Sequence, residues 1–450
     1  MVKTVISNAI KLENKINKGI LKWEHLIPYI LLLVIIVDIS LDFEDILFMH
    51  HNGLIATIFQ PIFLLVFFII IPLKKVGWFI IYNLIVLFFT YYSYKYGKKH
   101  NRKFVILAWS SLIFTYISNF ILRFSEVSFF WDYYNVFYFI SFLICLGGFE
   151  TYFRRNKIKF ETIFNIFKII VIYIGFIFLI SYITGTVIES YEASNKIGFS
   201  GWFVSSNSIG HLLTIIFPII LYNFLKDKSF INFGVLIISI LCQLAIGTKA
   251  PYLGIMLTLF IFLGITIFGC FKDNKFNKIN IGILIVIILV MISIFPITPL
   301  SYNLKVTGEN EEIDLLSGRY DFLTNKTNFS SNENNCFGFL FILTGNNSYL
   351  NSKLIEIDYF DIFFNNGLYG IIVFIIITGY YLRLISKKII KKSVKNFSLK
   401  NIAYIIPVCL ILGIAGIAGH IFVGSYITIY SAFMIILLLY NLGGIKYEKQ

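Results

Sequence analysis

The stretch EIDYFDIFFNNGLYGIIVFIIITGYYLRLI, from Glu356 to Ile385, decides the fold class of this chain. Its second half is a nearly uncharged apolar run. A helix needs roughly 20 such residues to cross a bilayer, because every backbone polar group must be satisfied without water. The stretch therefore predicts a membrane-spanning helix. Its first half is unusual, since the carboxylates of Glu356, Asp358 and Asp361 stand where the helix begins.

The apolar pattern recurs along the whole chain. Of the 450 residues, 58% are hydrophobic and only 14% are charged, and the mean hydropathy of +0.81 is far from that of an ordinary water-soluble domain. Apolar runs lie near 26–40, 54–73, 76–94, 104–122, 129–148, 164–184, 203–224, 230–246, 251–270, 281–297, 359–385, 402–422 and 426–440. The composition therefore predicts an all-α, polytopic membrane bundle.

The basic residues predict how the bundle is oriented. The net charge is +14, and only six of the 38 basic residues are arginine. Most lysines stand in short connections between apolar runs, which is the positive-inside pattern and argues against nucleic-acid binding. The rule places connections 95–103, 153–159, 225–228, 271–278 and 386–395 in the cytoplasm. The acidic connection 189–196 and the long segment 298–355 are then expected outside.

Counting the spans exposes one conflict. Thirteen runs would put the two basic termini on opposite faces, and Lys74 and Lys75 would lie on the wrong side. We therefore predict about 12 spans, within a range of about 12 to 14, with both termini cytoplasmic and one re-entrant or missed segment before residue 94. The predicted divisions are a cytoplasmic tail, 1–25, whose following helix is kept as an anchor; a transmembrane bundle, 26–297; a large extracytoplasmic loop, 298–355; and the last three spans with a cytoplasmic tail, 356–450.

Several functional classes have no signature in this sequence. The five cysteines are scattered, with no paired spacing, so neither a disulfide framework nor a metal cluster is expected. No GxGxxG, P-loop, HExxH or GxSxG motif occurs. We therefore expect neither a metal ion nor a cofactor.

Two cations are expected on the outer face. Arg319 is the one arginine of the long external loop, and a guanidinium offers a planar fork of donors that suits phosphate or carboxylate. Lys249 lies in the tight turn of AIGTKAPYLG, against the positive-inside trend, and could bind an anionic headgroup or a pyrophosphate. The plainer alternatives are a surface ion pair for Arg319 and a lysine reaching the membrane interface for Lys249.

The segment GFSGWFVSSNSIGHLL, 198–213, enters another span from the outer side. Asn207 and His211 are four residues apart and share one helical face. Asn207 could orient a sugar or phosphate oxygen, although a buried hydrogen bond between helices is the commoner role of such a residue.

The acidic cluster at the start of the 356–385 stretch calls for a functional explanation. A helix start favours one carboxylate by up to about 1 kcal/mol. Three are harder to explain, because an ionised side chain pushed toward hydrocarbon costs roughly 2.5 to 3.5 kcal/mol. Asp358 and Asp361 also repel each other from one face. Glu356, Asp358 and Asp361 are therefore candidates for a general base.

Four segments together resemble a known family. GFSGWFVSSNSIG, IGTKAPYLG, the SGRYDF loop and EIDYFDIFFNNGLYGIIVF, in this order, resemble the O-antigen ligase and polymerase superfamily, in particular its Gram-positive members. The resemblance implies a GT-C-like membrane glycosyltransferase that polymerises or ligates polyprenyl-pyrophosphate-linked oligosaccharides on the outer face of the cytoplasmic membrane, without a metal. Its expected partners are the lipid-linked donor, a glycan acceptor, membrane lipid and polysaccharide-export machinery.

The resemblance also implies roles for particular residues. Arg319 and Lys249 would bind the pyrophosphate, and Asn207 would line the same cavity. Two departures stand out. Ligases of this superfamily commonly carry a histidine ahead of the closing helix, where this chain has its acidic cluster, and they typically have arginine in place of Lys249. Two other functions stay open: a lipid-linked glycan flippase or transporter, and a non-enzymatic scaffold for envelope assembly.

Overall fold

A computed structural model describes most of the chain as a bundle of α-helices. The described residues are 26–36, 78–122, 129–191, 195–203, 205–268, 274–310, 357–391, 398–417 and 419–448. In chain order the described helices are α1 (Leu26–Ile36), α2 (Trp78–Tyr96), α3 (Lys99–Leu122), α4 (Phe129–Arg155), α5 (Phe160–Thr184), α6 (Ser206–Lys226), α7 (Phe230–Ile246), α8 (Lys249–Phe268), α9 (Asn274–Ile294), α10 (Pro299–Asn310), α11 (Asp358–Lys391), α12 (Leu399–Ile417) and α13 (Ser425–Asn441). A short 3₁₀ turn, Phe295–Ile297, joins α9 to α10.

The described helices confirm a multi-pass membrane protein. Helices α5, α6, α8, α9, α11 and α12 each contain a stretch long and apolar enough to cross a bilayer, and α7 and α13 are shorter apolar helices. The predicted total of about 12 spans stays a prediction, because the second apolar run, near 54–73, lies outside the described residues. Helix α10 forms the beginning of the expected loop 298–355. The rest of that loop, 311–355, also lies outside the described residues.

Two helices form the centre of the bundle. Helix α6 is buried over nearly its whole length, and α13 is buried from Tyr426 to Leu439. Helix α12 packs against both, and α4 packs against α13. By contrast, α9 turns side chains such as Val286 and Leu289 outward. Because a helix that is apolar all round is stable only inside protein or lipid, this arrangement fits a bundle surrounded by membrane.

Ring contacts show which helix ends share a face. Phe160, at the start of α5, packs against Tyr404 near the start of α12, with ring centroids 5.7 Å apart, and the ammonium of Lys400 lies over the Phe160 ring. Helices α5 and α12 therefore begin on the same face and end on the opposite one. We name the face where they end, with the loops 185–203 and 419–424, the loop face. The face where they begin is the basic face.

A buried ion-pair cluster joins four segments at the basic face. Glu150, in α4, is fully buried, and its Oε1 accepts hydrogen bonds from Nε and Nη2 of Arg154 at 2.8 and 2.6 Å. Its Oε2 accepts one from the hydroxyl of Tyr381 in α11 at 2.9 Å and lies 3.0 Å from Nε2 of His100 in α3. Arg154 also reaches Glu448 near the C-terminus, at 3.3 Å. The cluster therefore fixes the register of α3, α4, α11 and the C-terminal segment.

Glu150→Ala is expected to lower the free energy of unfolding by about 3 to 5 kcal/mol, because it leaves the Arg154 guanidinium and the Tyr381 hydroxyl without their buried acceptor. Thermal unfolding of the detergent-solubilised protein measures the effect. Lys157→Ala, an exposed change on the same face, is the control and should unfold as wild type does. Equal unfolding temperatures for Glu150→Ala and wild type would contradict the structural role of the cluster.

Candidate functional site

The carboxylate of Asp358 binds the backbone of a distant loop. Asp358 is the first residue of α11 and is fully buried. Its Oδ2 accepts hydrogen bonds from the N–H groups of Ile421 and Phe422, at 2.7 and 2.8 Å. Its Oδ1 accepts none from the described residues. A buried carboxylate needs such donors, since the helix start alone offsets only part of its desolvation.

Asp361 lies one turn further along α11 and is also buried, with 2% of its surface exposed. Its carboxylate is close enough to Asp358 to act on it electrostatically, as their spacing predicts. Two of the three predicted carboxylates are thus together inside the protein. The third, Glu356, lies outside the described residues.

The loop 419–424 owes its shape to two consecutive left-handed residues. Gly419 has φ 64° and His420 has φ 62°, and the N–H of Gly419 bonds the carbonyl of Ile414 at 3.0 Å. A left-handed conformation costs an L-residue about 1–2 kcal/mol, so His420 carries backbone strain. The turn aims the next two N–H groups at Asp358. The imidazole of His420 is partly exposed and acts electrostatically on Asp358.

Aromatic rings support this loop from inside the bundle. The ring of Phe422 lies between Phe142 of α4 and Phe374 of α11, with centroid separations of 4.6 and 5.1 Å. Tyr359 packs on the same cluster, and its hydroxyl donates to the carbonyl of Leu412 at 3.2 Å. Packed aromatic side chains have few alternative positions, so the N–H groups facing Asp358 are held in place.

Helix α11 is broken below the two carboxylates. Gly367 has φ 64° and ψ −170°, far from helical values, so two helical pieces meet there. Asn365 and Asn366 immediately precede the break and are buried, and their amide atoms have no hydrogen-bond partner among the described residues. Interrupted membrane helices are tolerated where they line a polar cavity or are buried in protein.

Lys249 stands in a rigid part of the loop face. It is the first residue of α8 and is half-buried. The turn before it contains Gly247, with φ 73°, whose carbonyl accepts a hydrogen bond from Nδ2 of Asn303 at 3.1 Å. Asn303, in α10, also bonds both the N–H and the carbonyl of Ile197 at 2.7 Å. One asparagine thus joins three connections, including the start of the predicted external loop.

The two predicted residues Asn207 and His211 differ in how deeply they are buried. Both lie on α6, where the hydroxyl of Ser205 caps the helix by accepting the N–H of Ser208 at 3.2 Å. Asn207 is half-buried in the first turn, at the loop face. His211 is 1% exposed, inside the bundle. Of the two, Asn207 is placed to meet a ligand at the loop face, and Arg319 lies outside the described residues.

Helix α12 connects the two parts of the site. It packs against α6 and α8, which carry Asn207 and Lys249, and it leads into the loop 419–424. The acidic part and the cationic part therefore lie on the same face, and α12 contacts the helices that carry them. The apolar run 402–422 predicts His420 inside a span, whereas the structure ends α12 at Ile417. Glycines on both sides, at 419 and 424, were the available signal for the helix end.

An apolar groove opens beside the cationic part. Its volume is about 500 Å³, and it lies between α5 and α7, with Phe199 of the loop 185–203 at its upper end. Phe176 and Leu179 at its edge are 56% and 57% exposed, so the groove is open along the side of the bundle. Ala245 and Cys242 form part of its wall. Such a lateral groove can hold a hydrocarbon chain.

The described residues contain no group of three or more His, Cys, Asp or Glu side chains placed to hold a metal ion. The polar groups at the loop face are carboxylates, an imidazole, an ammonium and backbone N–H donors. This set can move protons and bind anions.

These features define the class of protein: a multi-pass helical membrane protein with buried carboxylates and a half-buried lysine at one face. The sequence matches the family described as O-antigen ligase like membrane protein over residues 22–312 and 305–444. The chain belongs to this family, which implies a membrane enzyme that acts on lipid-linked glycans. No curated protein and no solved structure matches the chain.

Proposed function

We propose that this protein is a metal-independent, inverting glycosyltransferase that polymerises or ligates polyprenyl-pyrophosphate-linked oligosaccharide units on the outer face of the cytoplasmic membrane, for capsule, exopolysaccharide or another surface glycan. The observation that carries the proposal is one juxtaposition: buried carboxylates at the start of α11, a cation at the start of α8 and a lipid-open groove share the loop face. Family membership supplies the class of substrate.

The proposed reaction is a single displacement at the donor sugar. The hydroxyl oxygen of the acceptor forms a bond to the anomeric carbon while the bond from that carbon to the pyrophosphate oxygen breaks. The leaving pyrophosphate takes the electron pair, and the proton of the acceptor hydroxyl is taken up at the acidic site that holds the general-base candidates Glu356, Asp358 and Asp361. Lys249 and Arg319 hold the charge that develops on the pyrophosphate, and Asn207 orients an oxygen of the substrate. Attack from the opposite side inverts the anomeric centre.

The groove between α5 and α7 is proposed to hold the first part of the polyprenyl chain. Its wall is hydrophobic, and its upper end reaches the loop face through Phe199, whose N–H bonds the carbonyl of Ala245 at 3.0 Å. A lipid in the groove would present its pyrophosphate near the turn that carries Lys249.

Ala245→Phe is expected to raise KM for a long-chain donor about thirty-fold, with kcat little changed. The added ring fills part of the groove and excludes two to three methylene groups, which corresponds to about 2 kcal/mol of binding. Initial rates over a range of donor concentrations measure both constants. Leu257→Phe, at an outward-facing position of α8 beyond the groove, is the matched control. A donor whose lipid is too short to reach the Ala245 part of the groove should be used equally well by both variants; an unchanged KM for the long-chain donor would exclude the groove as the lipid site.

The experiment that tests the function uses the purified protein in liposomes with a lipid-linked oligosaccharide. An enzyme of this kind converts the donor into longer glycans and free polyprenyl pyrophosphate. A flippase would change only the sidedness of the donor, and a scaffold would change nothing. Absence of longer products, with intact donor and folded protein, would overturn the proposal.

A further inference from the structure

We propose that His420 is the catalytic residue that removes the proton from the acceptor hydroxyl, and that Asp358 is the residue that positions it. The inference rests on the proposed function and names the immediate proton acceptor within that site.

Asp358 and His420 differ in their exposure to solvent. Asp358 is fully buried, and its Oδ2 is occupied by the N–H groups of Ile421 and Phe422. Asp358 exposes no surface, so its carboxylate is not in contact with solvent. His420 is partly exposed at the same face and precedes those two residues. Of Asp358 and His420, His420 is therefore the one with exposed surface at this face.

The second argument is the strained backbone of His420. Its φ of 62° is the one left-handed angle of a non-glycine residue among the described parts of the chain. Glycine accepts this conformation freely, and the chain places glycines at 419 and 424 on either side. A histidine at the strained position is explained if its ring is needed there, since such strain gathers at functional sites.

The third argument is the second oxygen of Asp358. Oδ1 is buried and accepts no hydrogen bond from the described residues, although a carboxylate oxygen can accept at least one. The charged groups that act on Asp358 are His420, from the loop, and Asp361, from its own helix. An imidazolium N–H is the donor best suited to this oxygen, so the charge that His420 gains during the reaction has a partner already in place.

The proton balance follows from these positions. As the acceptor oxygen bonds to the anomeric carbon, its proton moves to the unprotonated ring nitrogen of His420. The electron pair of the breaking bond leaves with the pyrophosphate. The imidazolium is stabilised by the Asp358 carboxylate and returns its proton to solvent after product release. Imidazole suits this step because it changes its charge near neutral pH.

The decisive variant is His420→Gly, because glycine keeps the left-handed backbone and removes only the ring. We expect glycan extension to fall about 100-fold to 10,000-fold, as on removal of a general base, while the elution volume and unfolding temperature match those of wild type. Millimolar imidazole added to the assay is expected to restore part of the rate to His420→Gly and to leave wild type and Asp358→Asn unchanged.

His420→Asn is the second variant, since asparagine also adopts the left-handed region but cannot act as a base. It is expected to fold and to lose the same activity, without rescue, because its side chain fills the place of the ring. Full activity of either variant would overturn the inference, and so would a loss in His420→Gly that imidazole does not reverse. If wild type extends glycans and both variants do too, only the role of His420 fails. If wild type itself makes no longer glycan, the proposed function fails and takes this inference with it.

Discussion

Asp358→Ala is expected to reduce the rate of glycan extension by at least about 100-fold. Two buried N–H groups, of Ile421 and Phe422, lose their acceptor. Each hydrogen bond to a charged group contributes about 1.5–3 kcal/mol. The loop 419–424 would therefore leave its position, and His420 with it.

Asp358→Asn removes the negative charge of the side chain and keeps its shape. The amide oxygen can still accept the two N–H groups, so the loop should keep its place, but the negative charge beside His420 is gone. We expect kcat to fall about as far as in the alanine variant and KM to change less, because ground-state binding does not use this charge. Initial rates with purified lipid-linked donor give both constants.

Glu161→Gln is the control for Asp358→Asn. Glu161 also stands in the first turn of a helix, α5, but it is exposed and lies at the basic face. It should therefore be fully active. If Asp358→Asn extends glycan at the wild-type rate, Asp358 has no part in proton transfer and is only an anchor for the loop.

Lys249→Ala is expected to lower kcat by about 100-fold to 1,000-fold, the range found when a donor that stabilises developing negative charge is removed. Lys249 is held half-buried by a turn tied to Asn303, so a neighbouring lysine cannot easily take its place. The same loss is expected for Arg319→Ala. Because both cations are proposed to hold one pyrophosphate, the double variant should lose less than the product of the two single effects.

Lys249→Arg should retain most of the activity, since a guanidinium also binds phosphate oxygens. Lys305→Ala changes an exposed lysine of α10, two residues after Asn303; it is the control and should be unaffected. Release of polyprenyl pyrophosphate, followed with the extension of the glycan, is the measurement. A wild-type rate for Lys249→Ala would show that this lysine lies at the interface and does not hold the leaving group.

Part of the candidate site could be predicted from local sequence. The three carboxylates are predicted as functional because charge at the start of an apolar run is costly. Lys249 is predicted as functional because a lysine at the outer face opposes the positive-inside trend. The structure buries Asp358 and Asp361 side by side and places Lys249 on the same face. The chemical roles of Asp358, Asp361 and Lys249 stay predictions. The roles of Glu356, Arg319 and Asn207 also stay predictions. The placement of His211 inside the bundle favours a structural position for that residue.

Sequence reasoning missed His420 for a physical reason. Hydropathy is averaged over a window of residues. The single histidine in GIAGHIF, 416–422, does not lower that average enough to end a span. The conformation of the loop depends on Gly419 and His420 turning left-handed and on a carboxylate 63 residues away along the chain. The interruption of α11 at Gly367 is equally hard to find, because glycine is common in membrane helices.

The sequence alone determined that this chain is a helical membrane protein, because the solvation of side chains and backbone in lipid is a local property of each apolar run. It also determined which family the chain resembles, through short segments whose order along the chain is fixed. Only the tertiary structure decided which carboxylate is buried, which donors satisfy it and which histidine acts on it. Those relations join α11 to a loop that follows α12, and contacts between segments so distant are set by packing of the whole bundle.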